Sequence, residues 1–299
     1  MQIQKKYREE VYILKEEQLS NINIFQIYFN ENQLFRLDEQ FIPYKNGKNS
    51  KFYEFSLLLE IYEKKIYETA DYSGVVSYKF NNKTGIKGEE FINFVRKNPG
   101  YDVYFINPHP FLPYFYYNCW EQGEYWHPGL KNISSKLFKK MNFLESTNNL
   151  PRQTNDVLCY ANFWIGNNNF WKKYGRLLKD IEIIIEKDID IKKELFDNTF
   201  HYNEAPIFPF VIERIFSTLL SIDKDLKYLS YPITKEALSN SCLYDFERIE
   251  LKKNKELIDV YDSNKEIEKL KEFFETNSEV YYRKAKEHVF HSGIPKKMS

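Results

Sequence analysis

Apolar and polar positions alternate with two different periods along this chain, and the period changes several times. From Gln4 to Leu19 the pattern is amphipathic, charge-rich and free of Gly and Pro, which predicts a leading helix over residues 1–22. Two short apolar and aromatic runs follow, Asn23 to Phe29 and Gln40 to Tyr44, the second closed by the turn sequence KNGKN; both read as strands. Behind Ser50, a residue able to cap a first turn, Phe52, Phe55, Leu58, Leu59 and Tyr62 recur at helical spacing. Asp71 to Phe80 then reads as a strand, NNKTGIKG as a loop, GEEFINFVRKNPG as an amphipathic helix, and Tyr101 to Pro113 as a strand halted by Pro108 and Pro110. Strand and helix alternating over short connections predict a mostly parallel sheet covered by helices.

In such sheets ligands bind beyond the carboxyl ends of the strands, here the loops after Phe29, Tyr44, Tyr78 and Phe105. Further on, Phe115 to Gly129 is dense in aromatics but broken by Gly123, Pro128 and Gly129, and reads as an aromatic substrate loop rather than a helix. Tyr160 to Asn167 reads as a strand, with helices after it at NFWKKYGRLLKDIEIIIEK and at Pro209 to Ile222. The expected organisation is one domain over 1–240 and a helical extension and tail over 241–299, the tail ending in the basic GIPKKMS.

Composition removes several classes of function. Lys plus Arg and Asp plus Glu both total 43, so no net field draws the chain onto nucleic-acid phosphates. Cys119, Cys159 and Cys242 are odd in number and widely spaced, which fits a reducing, cytoplasmic setting and neither a disulfide framework nor a zinc site. No stretch of the sequence approaches the roughly 20 apolar residues that span a bilayer, so any membrane contact is expected to be peripheral. The defining glycine, serine and histidine motifs of dinucleotide enzymes, P-loop proteins, serine hydrolases and zincins are missing.

The residues that could carry chemistry fall in three places. Glu213 and Arg214 are adjacent charges inside an apolar helix, where an unpaired buried charge is costly, so at least one is expected to face a cleft. Glu121, Glu124 and His127 are spaced by three and flanked by Trp120, Tyr125 and Trp126; on a helix the spacing would fit metal ligation or acid-base work, with Glu124 and His127 as catalytic candidates, and in a loop the set suits sugar binding, with aromatic faces for the ring and polar groups for hydroxyls. At the ends of the strand YDVYF stand Asp102, Asn107 and His109.

Four segments in order resemble the GT-A-like glycosyltransferases encoded in bacterial capsule and lipopolysaccharide loci. FYEFSLLLEIYEK resembles their helix YYCELTxLYWxWKN, and DYSGVVSYKF their strand DYIGLVHYRRYF; YANFWIGNNNFWKKY is similar to YxNMFIMxxxxFxxY, and FPFVIERIF to xGFxAERLF. The resemblance implies a Rossmann-like half that binds a nucleotide-sugar donor and a second half that binds a glycan or lipid-linked acceptor. By position it marks Tyr53, Glu54, Tyr78, Lys79, Asn162, Glu213 and Arg214, with Glu213, Glu124 and Glu204 as alternative bases. Ser77 and Phe80 depart from the family's histidine and second arginine, which leaves Lys79 as the positive charge on that strand and Lys79 and Arg214 as the candidates to neutralise phosphate, the arginine as a fork. The usual Asp-x-Asp is reduced to Asp102-x-Tyr104, so a divalent ion, Mn or Mg, would have Asp102 alone. That gap keeps two alternatives open: a non-catalytic glycan- or partner-binding protein, and a transferase of a phosphate-type group to polysaccharide.

Overall fold

The structure is a computed structural model, and it describes residues 20–46, 52–199 and 205–292, the last three of these by backbone alone. The leading helix, the Ser50 cap, most of the KNGKN turn, Glu204 and the basic tail lie outside the described residues.

Six strands form the central sheet: β1 (Ile22–Tyr28), β2 (Ile42–Lys45), β3 (Tyr72–Ser77), β4 (Val103–Phe105), β5 (Trp164–Gly166) and β8 (Tyr228–Ser230). Their order across the sheet is β2-β1-β3-β5-β4-β8, and all run parallel except β5, which is antiparallel to both neighbours. A two-residue pair, β6 (Asn198–Thr199) and β7 (Ala205–Pro206), stands apart. The expected α/β class, a mostly parallel sheet flanked by helices with a helical C-terminal elaboration, is what the chain adopts.

The reversal of β5 has a local cause. After β4 the chain stays at the carboxyl edge of the sheet through two helices, α4 (Cys119–Trp126) and α5 (Leu130–Lys140), so it re-enters from that edge, with Trp164 beside Phe105, and must run the other way. It emerges at the amino edge, where α6 (Asn168–Lys187) starts under a cap from Asn167, whose side chain accepts from the Phe170 amide. Four further helices matter below: α1 (Glu54–Glu63), α2 (Phe80–Thr84), α3 (Gly88–Lys97) and α8 (Phe208–Ile222), with α7 (Ile189–Phe196) between α6 and β6.

Two expectations fail here for identifiable reasons. The aromatic segment after Phe115 is not a loop, because Asn118 accepts from the Trp120 and Glu121 amides and starts the helix α4. Gly123 does not break it: a Cβ there would lie 2.6 Å from Arg214 Nε and 2.3 Å from Leu130, so the glycine is what lets α4 and α8 close on each other. The loop NNKTGIKG is also partly helical, since α2 begins at Phe80, whose buried ring packs on Phe41, Phe91 and Phe163, and it stops at Gly85 in the left-handed region. β8 carried no strand signal beyond three residues, Tyr228 to Ser230, and is recruited by pairing with β4.

The core is aromatic. Trp164 sits at its centre, stacked on Phe216 at 5.6 Å and edge-on to Phe170 and Tyr174. Beyond β8 the chain is helical, with α9 (Lys235–Ser241), α10 (Asp245–Ser263) and α11 (Ile267–Ser292). Arg152, whose side chain is 5% exposed, ties this extension to the rest: its guanidinium donates to the carbonyls of Pro113, Tyr116, Tyr117 and Gln153 and forms a paired contact with Asp262.

At Gly74, opposite Ile165, a Cβ would stand 2.1 Å from the Trp164 carbonyl oxygen. Gly74→Ala therefore forces β3 and β5 apart and is expected to cost about 1–3 kcal/mol, read as a fall of several degrees in melting temperature; an unchanged melting curve would show that the strands tolerate the methyl group.

Candidate functional site

The carboxyl edge of the sheet carries three adjoining hollows that share Lys83. The first, about 330 Å³, lies between α4, α8 and the C-terminal helices and includes Trp126, His127, Glu213 and Arg214. The second, about 270 Å³, lies between the starts of α1 and α8 and the end of β3 and includes Tyr53, Glu54, Tyr78, Lys79 and Asn162. The third, about 470 Å³, lies beyond β4 and includes Asn107 and His109. Glu213 and Phe210 line both of the first two, and His109 lines the first and third.

These positions follow from the fold. Phe29 follows β1, Ser77 ends β3 and Tyr78 and Lys79 follow it, Ile106 to His109 follow β4 and Tyr231 follows β8, all at carboxyl ends. The first two turns of α8 add Phe210, Glu213 and Arg214, and the residues leading into the reversed β5 add Tyr160, Ala161 and Asn162.

At the centre stand two carboxylates and one ammonium. Glu213 Oε1 accepts the Ala161 amide at 2.6 Å, and its Oε2 lies 3.7 Å from Arg214 Nη1. Glu54 Oε2 accepts from Asn162 Nδ2 at 3.3 Å. Burial lifts the Glu54 carboxyl to about 7; the Asn162 amide opposes the rise, the Glu213 charge adds to it and Lys83 opposes it. Lys83 is held below its ordinary value by burial, against the pull of Glu213 and Glu54 and with Lys79 adding to the fall. Burial, with the Lys83 charge second, takes His109 down to about 3, so its imidazole is neutral at physiological pH. Lys79 too is lowered, by burial and then by Arg36.

The backbone is strained at the same place. Tyr53, Ala161 and Asn162 have φ of 52°, 62° and 53°, and all three line the Tyr53 hollow. Asn tolerates this region through its short polar side chain, whereas Ala161 has no such excuse and is held by the Glu213 carboxylate on its N–H.

The structure sorts the residues singled out in the sequence. Glu213, Arg214, His127, Trp126, His109, Asn107, Tyr53, Glu54, Tyr78, Lys79 and Asn162 line the three hollows. His127 is stacked on Phe210 at 3.7 Å. Arg214 is 2% exposed, and its nitrogens donate to the Cys119 and Phe210 carbonyls and to the Gln122 side chain, which makes it a brace between α8 and α4 rather than a loose phosphate fork. Asn107 is held by Asn155 and by the His109 amide.

Four others are placed elsewhere. Trp120 is fully buried in the core, donating to Thr218 at 2.9 Å. Glu124 receives the Gly129 and Lys131 amides at 2.8 Å each and so closes the turn into α5, and Glu121 pairs with Lys131. Once the segment is a helix, steps of three carry Glu121 and Glu124 round the same side, while Gln122 and Trp126 face the hollow. Asp102 stands at the amino edge, at the opposite end of β4 from the hollows. One oxygen accepts from Asn167 and Asn169 and the other from the Lys227 amide, and these hydrogen bonds help hold the carboxyl below its ordinary value although burial pushes it up. A divalent ion at Asp102 does not fit, since N–H donors already point at both of its oxygens. Among the described residues no three His, Cys, Asp or Glu side chains gather into a metal-binding group.

Lys83 was not singled out. Its signal was a lone cation in a segment read as a loop, and it becomes visible only when α2 turns it inward. Gln122 and Tyr160, and the C-terminal Leu243 and Tyr281, are likewise brought in by tertiary packing.

No family model matches the sequence, and no curated protein matches it. Among solved structures, the apo structure of WbbM, a bifunctional glycosyltransferase, is similar with a TM-score of 0.42 and 12% identity, over 71% of this chain and 44% of that one. The chain thus spans less than half the length of that structure. Among the described residues no helix is long and apolar enough to cross a membrane.

The raised Glu54 carboxyl has a consequence for stability. Between its ordinary value of 4.5 and about 7 the folded chain keeps a proton that the unfolded chain has lost, so stability falls as pH rises through that window and levels off above it. Glu54→Gln removes this loss while keeping a side chain that Asn162 can bond. The melting temperature of the parent relative to the variant is therefore expected to drop between pH 5 and pH 8, and a constant difference would mean that Glu54 titrates as an ordinary carboxylate.

Proposed function

We propose that the chain is a GT-A-type glycosyltransferase that moves a sugar from a nucleotide donor to a growing surface glycan or lipid-linked acceptor, acting in the cytoplasm with peripheral membrane contact at most. The observation that carries this reading is that Glu213 and Lys83 both line the two aromatic-walled hollows where these adjoin. A carboxylate beside an ammonium, with a hollow on each side, supplies what displacement at an anomeric carbon needs: a proton acceptor for the incoming hydroxyl and positive charge for the departing diphosphate.

In this assignment the Tyr53 hollow receives the donor. The rings of Tyr53, Tyr78 and Phe29 offer stacking faces there, and Lys79 and Lys83 lie toward the phosphates. The Trp126 hollow receives the acceptor, with His127 and the neutral His109 as hydrogen-bonding neighbours. The acceptor oxygen attacks the anomeric carbon, the bond from that carbon to the diphosphate oxygen breaks, and the acceptor proton passes to Glu213 Oε2. Its other oxygen, bound to the Ala161 amide, keeps the carboxylate oriented. Glu54, across the Tyr53 hollow, holds Asn162 and with it the strained entry to β5.

Glu213→Gln keeps shape and removes charge, and is expected to lower turnover by about 10²-fold or more with the substrate KM little changed; full turnover in the folded variant would take the base role from Glu213. Lys83→Met is expected to weaken binding of UDP, GDP or CMP, whichever the parent binds, in isothermal titration at low salt, with a smaller difference at high salt. Failure of the parent to bind any of the three, with or without manganese, would count against a nucleotide-sugar donor.

A further inference from the structure

The Trp126 hollow has two unlike ends. Toward the sheet it presents Glu213, Lys83 and His109, all able to meet sugar hydroxyls. Toward the C-terminal extension it presents the aliphatic side chains of Leu112, Leu243, Ala285 and Val289, with Trp126 and Tyr281 beside them. The polar tips of these two aromatics are turned to protein partners: Trp126 Nε1 donates to the Tyr116 hydroxyl at 3.1 Å and the Tyr281 hydroxyl donates to Glu247 at 2.7 Å. Glu247 in turn accepts from the Leu243 and Tyr244 amides. Glu247 and Tyr244 line this end too, but the Glu247 oxygens are taken by the Tyr281 hydroxyl and the Leu243 and Tyr244 amides. What the end offers is therefore mostly apolar face, and burying a second hydroxyl-rich ring against its aliphatic carbon would leave hydroxyls without partners.

We infer that the acceptor carries an apolar group, acyl or alkyl in character, directly on the sugar it presents, and that this group fills the end of the hollow made by α11, the start of α10 and the segment leading into it. The inference rests on the assignment of this hollow to the acceptor. It also gives the C-terminal extension a task in recognition, since Leu243, Ala285 and Val289 all come from it.

The probe is a series of β-D-glucopyranosides, from methyl through butyl and hexyl to octyl, titrated calorimetrically below the micelle concentration. Affinity is expected to rise roughly fourfold for each methylene buried and then to stop rising once the apolar end is filled. Val289→Asp, at a half-buried position near the end of α11, and Ala285→Trp, which occupies the space, are each expected to remove most of the rise, with folding checked by thermal melts. Affinity that does not depend on chain length, whether measurable or not, overturns the inference, as does a rise that survives in both folded variants. UDP, GDP and CMP titrated into the parent report on the donor separately. A chain-length effect without nucleotide binding keeps the apolar site and removes the transferase reading, and the reverse pattern removes the apolar site alone.

Discussion

Much of this molecule depends on the way Glu213 holds the chain as it turns into β5. Ala161 and Asn162 are both wound left-handed, and a non-glycine residue in that region costs about 1–3 kcal/mol. The Ala161 amide is bonded to Glu213 and the Asn162 amide group to Glu54, so helices α8 and α1 both grip the turn. What they hold in place is the strand carrying Trp164, the centre of the aromatic core. Glu213, Glu54 and the reversal of β5 are therefore one structural unit, with strain in the turn offset by packing a few residues away.

That coupling explains the electrostatics. Two carboxylates that must reach the same short stretch of backbone are brought close together and half out of water, which raises Glu54 and would be unfavourable without a nearby cation. Lys83 fills that need, and its own lowered value shows that burial outweighs the attraction it gains. Arg214 is spent differently, on the carbonyls that hold α4 against α8. Of two adjacent charges in the sequence, one faces the hollows as a site carboxylate and the other braces two helices.

How legible the site was depended on whether its parts were local. Strands β1 and β3, and helices α1, α3, α6 and α8, were readable because period and end signals lie within each segment. Glu213 and Arg214 were readable because charge inside an apolar helix is anomalous wherever the helix sits. The segment after Phe115 misled because Gly123 counts as a helix breaker in isolation, whereas here it permits contact with Arg214. Asp102 misled because a strand has two ends, and only the sheet direction reveals which of them faces the ligand edge.

By itself, then, the sequence determined the alternation of strand and helix, the helical C-terminus and the two charges of α8, because periodicity and local burial cost are properties of short stretches. Only the tertiary structure decided that β5 runs backwards, that α2 turns Lys83 toward Glu54 and Glu213, that Glu121 and Glu124 leave the site while Gln122 enters it, and that α11 closes one hollow. Each of those depends on which residues distant in the chain become neighbours, and that is set by how the core packs as a whole rather than by any one segment.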